Sequence, residues 1–332
     1  MKSIKKLALS ILVVLGLIIF VSCTNNNSKS KVGVRDNTKT IAILKYGTHT
    51  SLDEIEEGII KKINSELIGY TIKKYDCNFD SAIISQTITA IKDLDLACVV
   101  GIATPVAVAL ANNFSDIPVV FAAVSDPFGA GIIGDNVTGT SDAMQLESLI
   151  NLEKEVNKEA KNFGFIYTQT EANSNSNLIK LQDLSKTMNF NLQVKSINQT
   201  FEITENLNSL IDSGIDSLIV TDDNNVASGM DIISDICSKK NIGVYCAADS
   251  EVKDGGMIGY SISYSKLAEY TATQVLEIVK DKKAVSDVKI KYFDEASDLK
   301  LYYNSNFLAK SSKYNSLITD TIKKKGIDLA SK

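Results

Sequence analysis

The order of apolar and polar residues predicts strands and helices that alternate along most of the chain. Short apolar runs such as Leu96–Ile102 and Ile117–Val124 have the length of buried strands. Segments such as Leu52–Ile68 carry apolar residues three and four positions apart, which is the spacing of an amphipathic helix. Continuous apolar strands that alternate with helices are typical of parallel sheets covered on both faces, so the pattern predicts an α/β protein.

The predicted elements fall into two series, and the second begins near Met144. Strands are expected at Thr40–Lys45, Tyr70–Tyr75, Leu96–Ile102, Ile117–Val124, Asn162–Tyr167, Leu192–Ile197, Ser217–Thr221, Gly243–Ala248 and Leu299–Tyr303. Helices are expected at Leu52–Ile68, Asp80–Ile91, Pro105–Asn113, Met144–Glu159, Ser174–Met188, Ile203–Ser213, Val226–Lys239 and Ser265–Lys280. Two such series predict two doubly wound parallel-sheet lobes joined by a hinge.

The first 23 residues have the pattern of a lipoprotein signal. Three lysines precede the apolar run Leu7–Phe20, whose 14 residues match the core of a secretory signal peptide. A helix that spans a bilayer needs roughly 20 apolar residues. Because Ser22 precedes Cys23 as in a lipobox, we expect residues 1–22 to be removed and Cys23 to be lipidated. An ordinary signal peptide and an uncleaved anchor are the alternatives.

Residues 23–38 are rich in Asn, Ser and Lys and are expected to form a flexible tether.

Length and charge limit the possible functions of the remaining body. Roughly 295 residues exceed the usual size of one domain and favour two. The chain has 35 basic and 40 acidic residues, and loss of the three signal-peptide lysines leaves a net charge of about −8. Nucleic-acid binding requires basic patches, so this acidic composition argues against it.

Four cysteines follow Cys23, and their spacing suits no metal site. Cys98 and Cys246 lie in apolar runs, which favours buried free thiols. A disulfide between Cys237 and Cys246, or between Cys77 and Cys98, remains an alternative for an exported protein. We expect neither a metal nor a cofactor.

Small polar and acidic residues follow the predicted strands, at the edge where ligands bind to open parallel sheets. Each of these residues is also a common helix cap, but their occurrence at six strand ends in both series favours a ligand-binding crevice. The candidates are Tyr46, His49, Thr104, Ser125, Asp126, Glu171, Asn173, Ser174, Asn224 and Asp249.

The scarcity of arginine suggests how such a crevice would bind an amino acid. Arg35 is the single arginine of the chain and lies in the predicted tether, so the body has no guanidinium to clamp a carboxylate. Helix N-termini bind carboxylates well, and Thr104 and Ser125 are expected to contribute. The α-amino group would pair with Asp126, Glu171 or Asp249. Aromatic residues near the strand ends belong either to the core or to a pocket wall: Tyr46, Phe121, Phe128, Tyr167 and Tyr245.

Sequence motifs give no support to an enzyme. The glycines of Gly129–Gly134 match GxGxxG, but Ser125–Phe128 separate them from the preceding strand and no helical segment follows, so a dinucleotide site is not expected. GxSxG, HExxH and P-loop motifs are absent from the sequence, and His49 is its only histidine. Catalysis on the same two-lobed scaffold remains an alternative, since fold does not determine function.

Seven segments resemble the ABC transporter substrate-binding family that includes tryptophan- and tyrosine-binding lipoproteins. They are Thr48–Ile59, Gly101–Ala107, Ile117–Pro127, Asn136–Asp142, Glu171–Ser174, Asn224–Ser228 and Ala247–Ser261, in family order over nearly the whole mature chain. The resemblance implies a type I periplasmic-binding-protein fold that closes on an aromatic or related amino acid. It also implies ligand contacts from the first of these segments, where His49 and Leu52 lie. The family often has a proline after this histidine, whereas this chain has Thr50.

The hypothesis drawn from these observations is a monomeric, lipid-anchored receptor that delivers a small molecule to an ABC permease and its ATPase. Its first lobe would comprise residues 39–141 and 264–288, and its second lobe residues 142–263 and 289–332, with the hinge near Ser141, Ser263 and Lys289. A surface adhesin that attaches to host cells is the alternative, and both roles are compatible with one protein.

Overall fold

The computed structural model describes residues 39–293 and 298–330. The predicted signal peptide, the lipidated Cys23 and the tether all lie outside the described residues. Among the helices described, none has the length and apolar composition needed to cross a membrane.

Thirteen strands and thirteen α-helices make up the described part of the chain. The strands are β1 Lys39–Lys45, β2 Tyr70–Asp76, β3 Leu96–Ile102, β4 Val119–Ala122, β5 Val137–Ser141, β6 Asn162–Thr168, β7 Asn191–Ile197, β8 Ser217–Val220, β9 Gly243–Cys246, β10 Ile258–Ser261, β11 Lys291–Tyr292, β12 Lys300–Tyr303 and β13 Ile327–Asp328. The helices are α1 Thr50–Glu66, α2 Ser81–Ile91, α3 Thr104–Asn113, α4 Leu146–Val156, α5 Ala172–Thr187, α6 Ile203–Asp212, α7 Asn224–Ala227, α8 Met230–Lys240, α9 Asp249–Lys253, α10 Tyr264–Val279, α11 Ser305–Lys310, α12 Ser312–Leu317 and α13 Asp320–Lys325. Short 3-10 helices lie at Thr200–Glu202 and Val285–Asp287.

Two sheets form the two lobes that the alternating pattern predicts. The first has the strand order β11-β5-β4-β3-β1-β2, and all its pairings are parallel. The second has the order β13-β12-β10-β9-β8-β6-β7. Its strands are parallel except that β12 runs antiparallel to β10. Each lobe has its own apolar core of buried residues.

Helix α1 shows how the sequence pattern produces the packing of the first lobe. Its apolar residues Leu52, Ile55, Ile59 and Ile63 are buried, as the three- and four-residue spacing predicts. Helix α10 returns from the second lobe and packs against α1. A Cβ atom on Gly58 would lie only 2.6 Å from the Cβ of Ala268, so this close approach of the two helices requires glycine.

Strand register brings the carboxyl ends of the first sheet together at one edge. Lys45 is opposite Ile102, Ile102 is opposite Ala122, and Ala122 is opposite Thr140. The residues that follow β1, β3, β4 and β5 therefore meet at one place, which is the edge expected to bind ligands.

The structure corrects several details of the predicted architecture. Strand β11 pairs with β5, so residues 291–292 belong to the first sheet, although the sequence assigned 289–332 to the second lobe. The helix predicted at Val226–Lys239 is two helices, α7 and α8, separated by Ser228 and Gly229. Strands β5 and β10 were not predicted, and the antiparallel β12 departs from the expected all-parallel sheets.

All four cysteines in the described residues are free and buried, so neither of the two candidate disulfides forms. Burial raises the pKa of the Cys98 thiol to about 12, which leaves this thiol uncharged at neutral pH.

Candidate functional site

A cavity lies between the two lobes, at the carboxyl ends of the strands. Its lining combines helix starts, small apolar side chains and acidic groups from both lobes. The lining residues are His49, Ser51, Leu52, Ala103, Thr104, Ala123, Asp142, Asn173, Asp222, Asn224, Ala227, Glu251 and Tyr264.

The first lobe directs the N-termini of α1 and α3 at this cavity. His49 immediately precedes α1, and Ser51 and Leu52 are in its first turn. Thr104 is the first residue of α3 and is followed by Pro105. The sequence favoured Thr104 as the N-cap of this helix, but the N-cap is Ala103. Thr104 is 3% exposed as a residue, and its hydroxyl makes no hydrogen bond within 39–293 and 298–330. Two helix N-termini with a free hydroxyl form a favourable environment for a carboxylate.

Two alanines in the lining have backbone conformations that L-residues rarely adopt. Ala103 follows β3 with φ of 77°, and Ala123 follows β4 with φ of 55°. Such conformations cost on the order of 1–3 kcal/mol and are concentrated at functional sites. Alanine keeps the side chain small where the chain turns past the cavity.

The second lobe contributes an amide and carboxylate network. The Glu171 carboxylate accepts hydrogen bonds from Asn224 Nδ2 at 2.5 Å and Asn225 Nδ2 at 3.2 Å. Asp223 accepts bonds from the Thr168 hydroxyl at 2.8 Å and the Ser174 hydroxyl at 2.7 Å, and it caps α7 by accepting from the backbone N–H of Val226. This network holds Asn224 where its amide faces the cavity.

Ser125 lies between two carboxylates from different parts of the chain. Its hydroxyl donates to Asp142 Oδ1 at 3.0 Å and also contacts Asp222 Oδ2. The Tyr264 hydroxyl donates to Asp142 Oδ2 at 2.9 Å. Burial and, to a smaller extent, the neighbouring charge of Asp142 together raise the pKa of Asp222 to about 7.

The cavity is strongly acidic. Burial is the main cause that raises the pKa of each of five carboxyl groups around it, namely Asp142, Glu171, Asp222, Asp223 and Glu251. A buried carboxylate that has no cation beside it either becomes protonated or binds a positively charged group of a ligand.

Direct contacts across the cleft show that the lobes are closed. His49 Nε2 lies 3.1 Å from Asn224 Oδ1, and the hydroxyls of Ser51 and Ser250 are 2.5 Å apart. At the rim, Lys253 Nζ lies 2.8 Å from Glu54 Oε1. Ala248 of the second lobe packs into the apolar core of the first.

Burial lowers the pKa of His49 to about 4, so its imidazole is neutral at physiological pH. Its ring stacks on Phe79 with the centroids 6.3 Å apart. Because the His49 ring is neutral and contacts Asn224 of the other lobe, it is suited to hold the cleft closed rather than to bind a charged group of a ligand.

Five of the residues predicted from the sequence line the cavity: His49, Leu52, Thr104, Asn173 and Asn224. Six others do not, namely Tyr46, Ser125, Asp126, Glu171, Ser174 and Asp249. Four of these lie near the cavity but are engaged elsewhere. Ser125 contacts two carboxylates. Glu171 accepts a hydrogen bond from Asn224, and Ser174 donates one to Asp223, so both belong to the amide and carboxylate network. The Tyr46 ring packs edge-on against Phe79.

The remaining two acids lie farther out. Asp126 accepts the Gly129 N–H at 2.8 Å and lines a neighbouring groove. Asp249 accepts the Ser250 N–H at 3.0 Å at the start of α9. Each carboxylate thus accepts a backbone N–H that lies within three residues of it along the chain.

The other aromatic residues near the strand ends do not form the cavity wall. Phe121 is buried in a small cluster behind the sheet and Tyr245 in the core of the second lobe. Phe128 is 64% exposed, and Tyr167 stacks on Phe165. The aromatic ring that does line the cavity belongs to Tyr264, at the start of α10.

Sequence reasoning missed Ser51, Asp142, Asp222, Glu251 and Tyr264. Asp142 and Tyr264 follow β5 and β10, which are two of the four strands that the sequence pattern did not predict. Asp222 follows β8 at a position where acidic residues are usually solvated, but here it is half-buried and contacts Ser125 of the first lobe.

Comparison with known proteins identifies the family. The model of the ABC transporter substrate binding protein family matches residues 40–325. The chain belongs to this family. A curated relative, the tyrosine-binding protein of Clostridioides difficile strain R20291, is 31% identical in an alignment over 313 residues that covers 89% of each protein. The two-lobed arrangement is that of type I periplasmic binding proteins. Membership of the family means that the chain is a substrate-binding protein.

Two solved structures of substrate-binding proteins bear on the conformation. An ABC domain from Streptococcus pneumoniae in complex with L-Trp is 25% identical, with a TM-score of 0.77 over 87% of this chain and 99% of that one. The ligand-free, open structure of a substrate-binding protein with adhesive properties from Clostridium difficile is 28% identical, with a TM-score of 0.61 over 82% and 94%. The TM-score is higher for the L-Trp complex than for the open, ligand-free structure.

Proposed function

We propose that this substrate-binding protein binds an aromatic amino acid, tyrosine or tryptophan, in the interlobe cavity. The observation that carries the proposal is the pairing, in one closed space, of two helix N-termini with a cluster of buried acids. An amino acid carries one negative and one positive group and would satisfy both. The names of the tyrosine-binding relative and of the L-Trp complex support an aromatic side chain.

The ligand carboxylate would bind at the start of α3, where the Thr104 hydroxyl and the backbone N–H of Thr104 are available. The start of α1 lies beside it, with Ser51 and Leu52 in the lining. The apolar contacts for the ligand ring would come from Leu52, Ala227 and Tyr264. These residues belong to both lobes and surround a ligand only when the lobes close.

Ligand binding would favour the closed form because the complete set of contacts exists in that form alone. The open form offers each half of the site separately to solvent. Closure would therefore report ligand occupancy to a membrane permease, which would receive the ligand.

A thermal-shift screen of the twenty amino acids tests this proposal. A ligand present at 100 times its dissociation constant stabilises the folded protein by about 2.7 kcal/mol. We expect tyrosine or tryptophan to raise the melting temperature most. Binding of a different class of amino acid, with no shift from either aromatic, would contradict the assignment of the side chain.

We further propose that the protein works outside the cytoplasm, is lipid-anchored through Cys23, and serves an ABC importer with its permease and ATPase. The sequence of the signal segment and membership of the family support this. Replacement of Cys23 by serine should abolish incorporation of labelled palmitate and release the protein from cells. Unchanged labelling of the C23S variant would contradict lipidation at this cysteine.

Adhesion is a second candidate function, and the adhesive properties stated for the 28% identical structure favour it. A gene deletion tested for both aromatic amino-acid uptake and host-cell attachment separates the two functions. Loss of uptake with normal attachment would support transport and contradict adhesion.

A further inference from the structure

We propose that Asp142 and Asp222, together with the Asn173 side chain, form the site for the ligand's primary ammonium group. This inference rests on the proposed function and names acids that the sequence did not single out. The three side chains line the same cavity and come from different elements: Asp142 follows β5, Asp222 follows β8, and Asn173 lies in the first turn of α5.

The contacts of Ser125 are the first observation that supports this site. One hydroxyl group touches a carboxylate oxygen of Asp142 and a carboxylate oxygen of Asp222, yet it has a single hydrogen to donate. One of the two carboxylates is therefore left without a donor from Ser125. An additional proton or a cation between them would complete the arrangement.

Two buried amide oxygens beside Asp222 also lack donors. Asn173 Nδ2 donates to the backbone oxygen of Asp222 at 2.8 Å, and Asn177 Nδ2 donates to Asp222 Oδ1. The Oδ1 atoms of both asparagines are buried and have no hydrogen-bond partner in the described part of the chain. Of the two, Asn173 lines the cavity, and because buried acceptors in native proteins are nearly always paired, a bound N–H donor is expected at its Oδ1 atom.

An ammonium group matches this set of acceptors. It has three donors and one positive charge, and the acceptors that line the cavity are the carboxylates of Asp142 and Asp222 and the Asn173 Oδ1 atom. Across residues 39–293 and 298–330, no group of three or more acidic, histidine or cysteine side chains is arranged to bind a metal ion. The acceptors therefore suit an organic cation better than a metal.

The groups that surround Asp142 and Asp222 do not neutralise these two acids. Asp223, Glu251 and the Tyr264 hydroxyl adjoin the two acids, and burial is the main cause that raises the pKa of each carboxyl group. Lys180 lowers the pKa of both Asp142 and Asp222, but its side chain lines a separate groove on the second lobe.

The test compares ligands that differ in the ammonium group alone. L-Tyrosine and L-tryptophan are titrated calorimetrically against their deamino analogues, 3-(4-hydroxyphenyl)propionate and 3-(indol-3-yl)propionate. The wild-type protein should bind the amino acids at least about 100-fold more tightly. In D142N and D222N, amino-acid affinity should fall by roughly thirtyfold or more. The deamino analogues should bind these variants no more weakly than they bind wild type, because repulsion of their carboxylate is reduced.

The matched control is D126N, which removes the same charge from an acid outside the cavity, and it should bind amino acids within about twofold of wild type. Melting curves confirm that each variant is folded, and the two test positions lie on different parts of the chain. Equal losses for amino acids and deamino analogues, or wild-type affinity in both variants, would overturn the ammonium site alone. A wild-type protein that binds none of the twenty amino acids, tyramine or tryptamine would overturn this proposal and the proposed function together.

Discussion

His49 Nε2 lies 3.1 Å from Asn224 Oδ1, and this contact joins the residue before α1 in the first lobe to the first residue of α7 in the second. Asn224 is in turn held by the buried Glu171 carboxylate. The contact can exist only when the cleft is closed, so these two residues connect ligand binding to the position of the lobes.

Acid should weaken ligand binding partly through His49. Its pKa is about 4 in the closed form against an ordinary value of 6.5, so the closed form binds fewer protons than an open form with an exposed ring. Between pH 6.5 and pH 4, falling pH therefore favours the open form. The H49Q variant should lose this part of the pH dependence in calorimetric titrations, and the remainder reports the carboxyl groups. An unchanged pH profile would show that His49 does not titrate on closure.

Thr104→Val should selectively weaken ligands that carry a carboxylate. The hydroxyl is the free side-chain donor at the start of α3, and a hydrogen bond to a charged group contributes about 1.5–3 kcal/mol. We expect a roughly ten- to hundredfold loss of tyrosine affinity by calorimetry. Tyramine, which lacks the carboxylate, should bind the variant and the wild type alike. The control is Thr89→Val, which alters an exposed threonine of α2 bonded only to its own helix.

The ion pair at the cleft rim should contribute modestly to closure. Lys253 and Glu54 belong to different lobes, and their side chains are 37% and 31% exposed. Exposed ion pairs contribute about 0.2–1 kcal/mol, so Lys253→Ala should weaken ligand binding by roughly two- to fivefold at low salt and less at high salt. Lys186→Ala removes the pair with Asp183 inside α5 and should leave affinity unchanged. A larger effect of Lys186→Ala would mean that overall charge, not closure, is responsible.

Glu153 should make the protein less stable at alkaline pH. This side chain of α4 is buried, and the hydroxyls of Tyr245 and Ser217 beside its carboxyl group lower its pKa by less than burial raises it. Burial raises its pKa to about 7 from 4.5, so the folded state binds more protons than the unfolded state. Stability should therefore increase as pH falls from 8 towards 4.5.

The matching variant is Glu153→Gln, which should be up to about 3 kcal/mol more stable than wild type at pH 8, with the difference nearly gone at pH 5. Urea denaturation at the two pH values measures this. Glu155→Gln, an exposed position on the same helix, is the control and should show no comparable difference. Equal stability of Glu153→Gln and wild type at pH 8 would contradict a buried charge.

Parts of the fold escaped prediction because their polar residues are satisfied by distant partners. Strand β5 has the sequence VTGTS, which lacks the apolar run of a buried strand. Its Thr140 hydroxyl bonds to the Thr271 hydroxyl of α10 at 2.7 Å, and its Thr138 hydroxyl donates to the Val288 carbonyl at 2.6 Å. Hydroxyls paired in this way can be buried at little cost, but their partners are more than a hundred residues away along the chain.

The sequence by itself determined the α/β class, the two series of elements, and five side chains of the cavity, because these depend on local periodicity and on which residues follow each strand. The tertiary structure alone decided which acids became buried. Asp126 and Asp249 accept backbone N–H groups from nearby residues of the chain, whereas Asp142 and Asp222 meet across Ser125. A local pattern records which residues can end a strand, but the desolvation of a carboxylate depends on atoms that the opposite lobe brings to it.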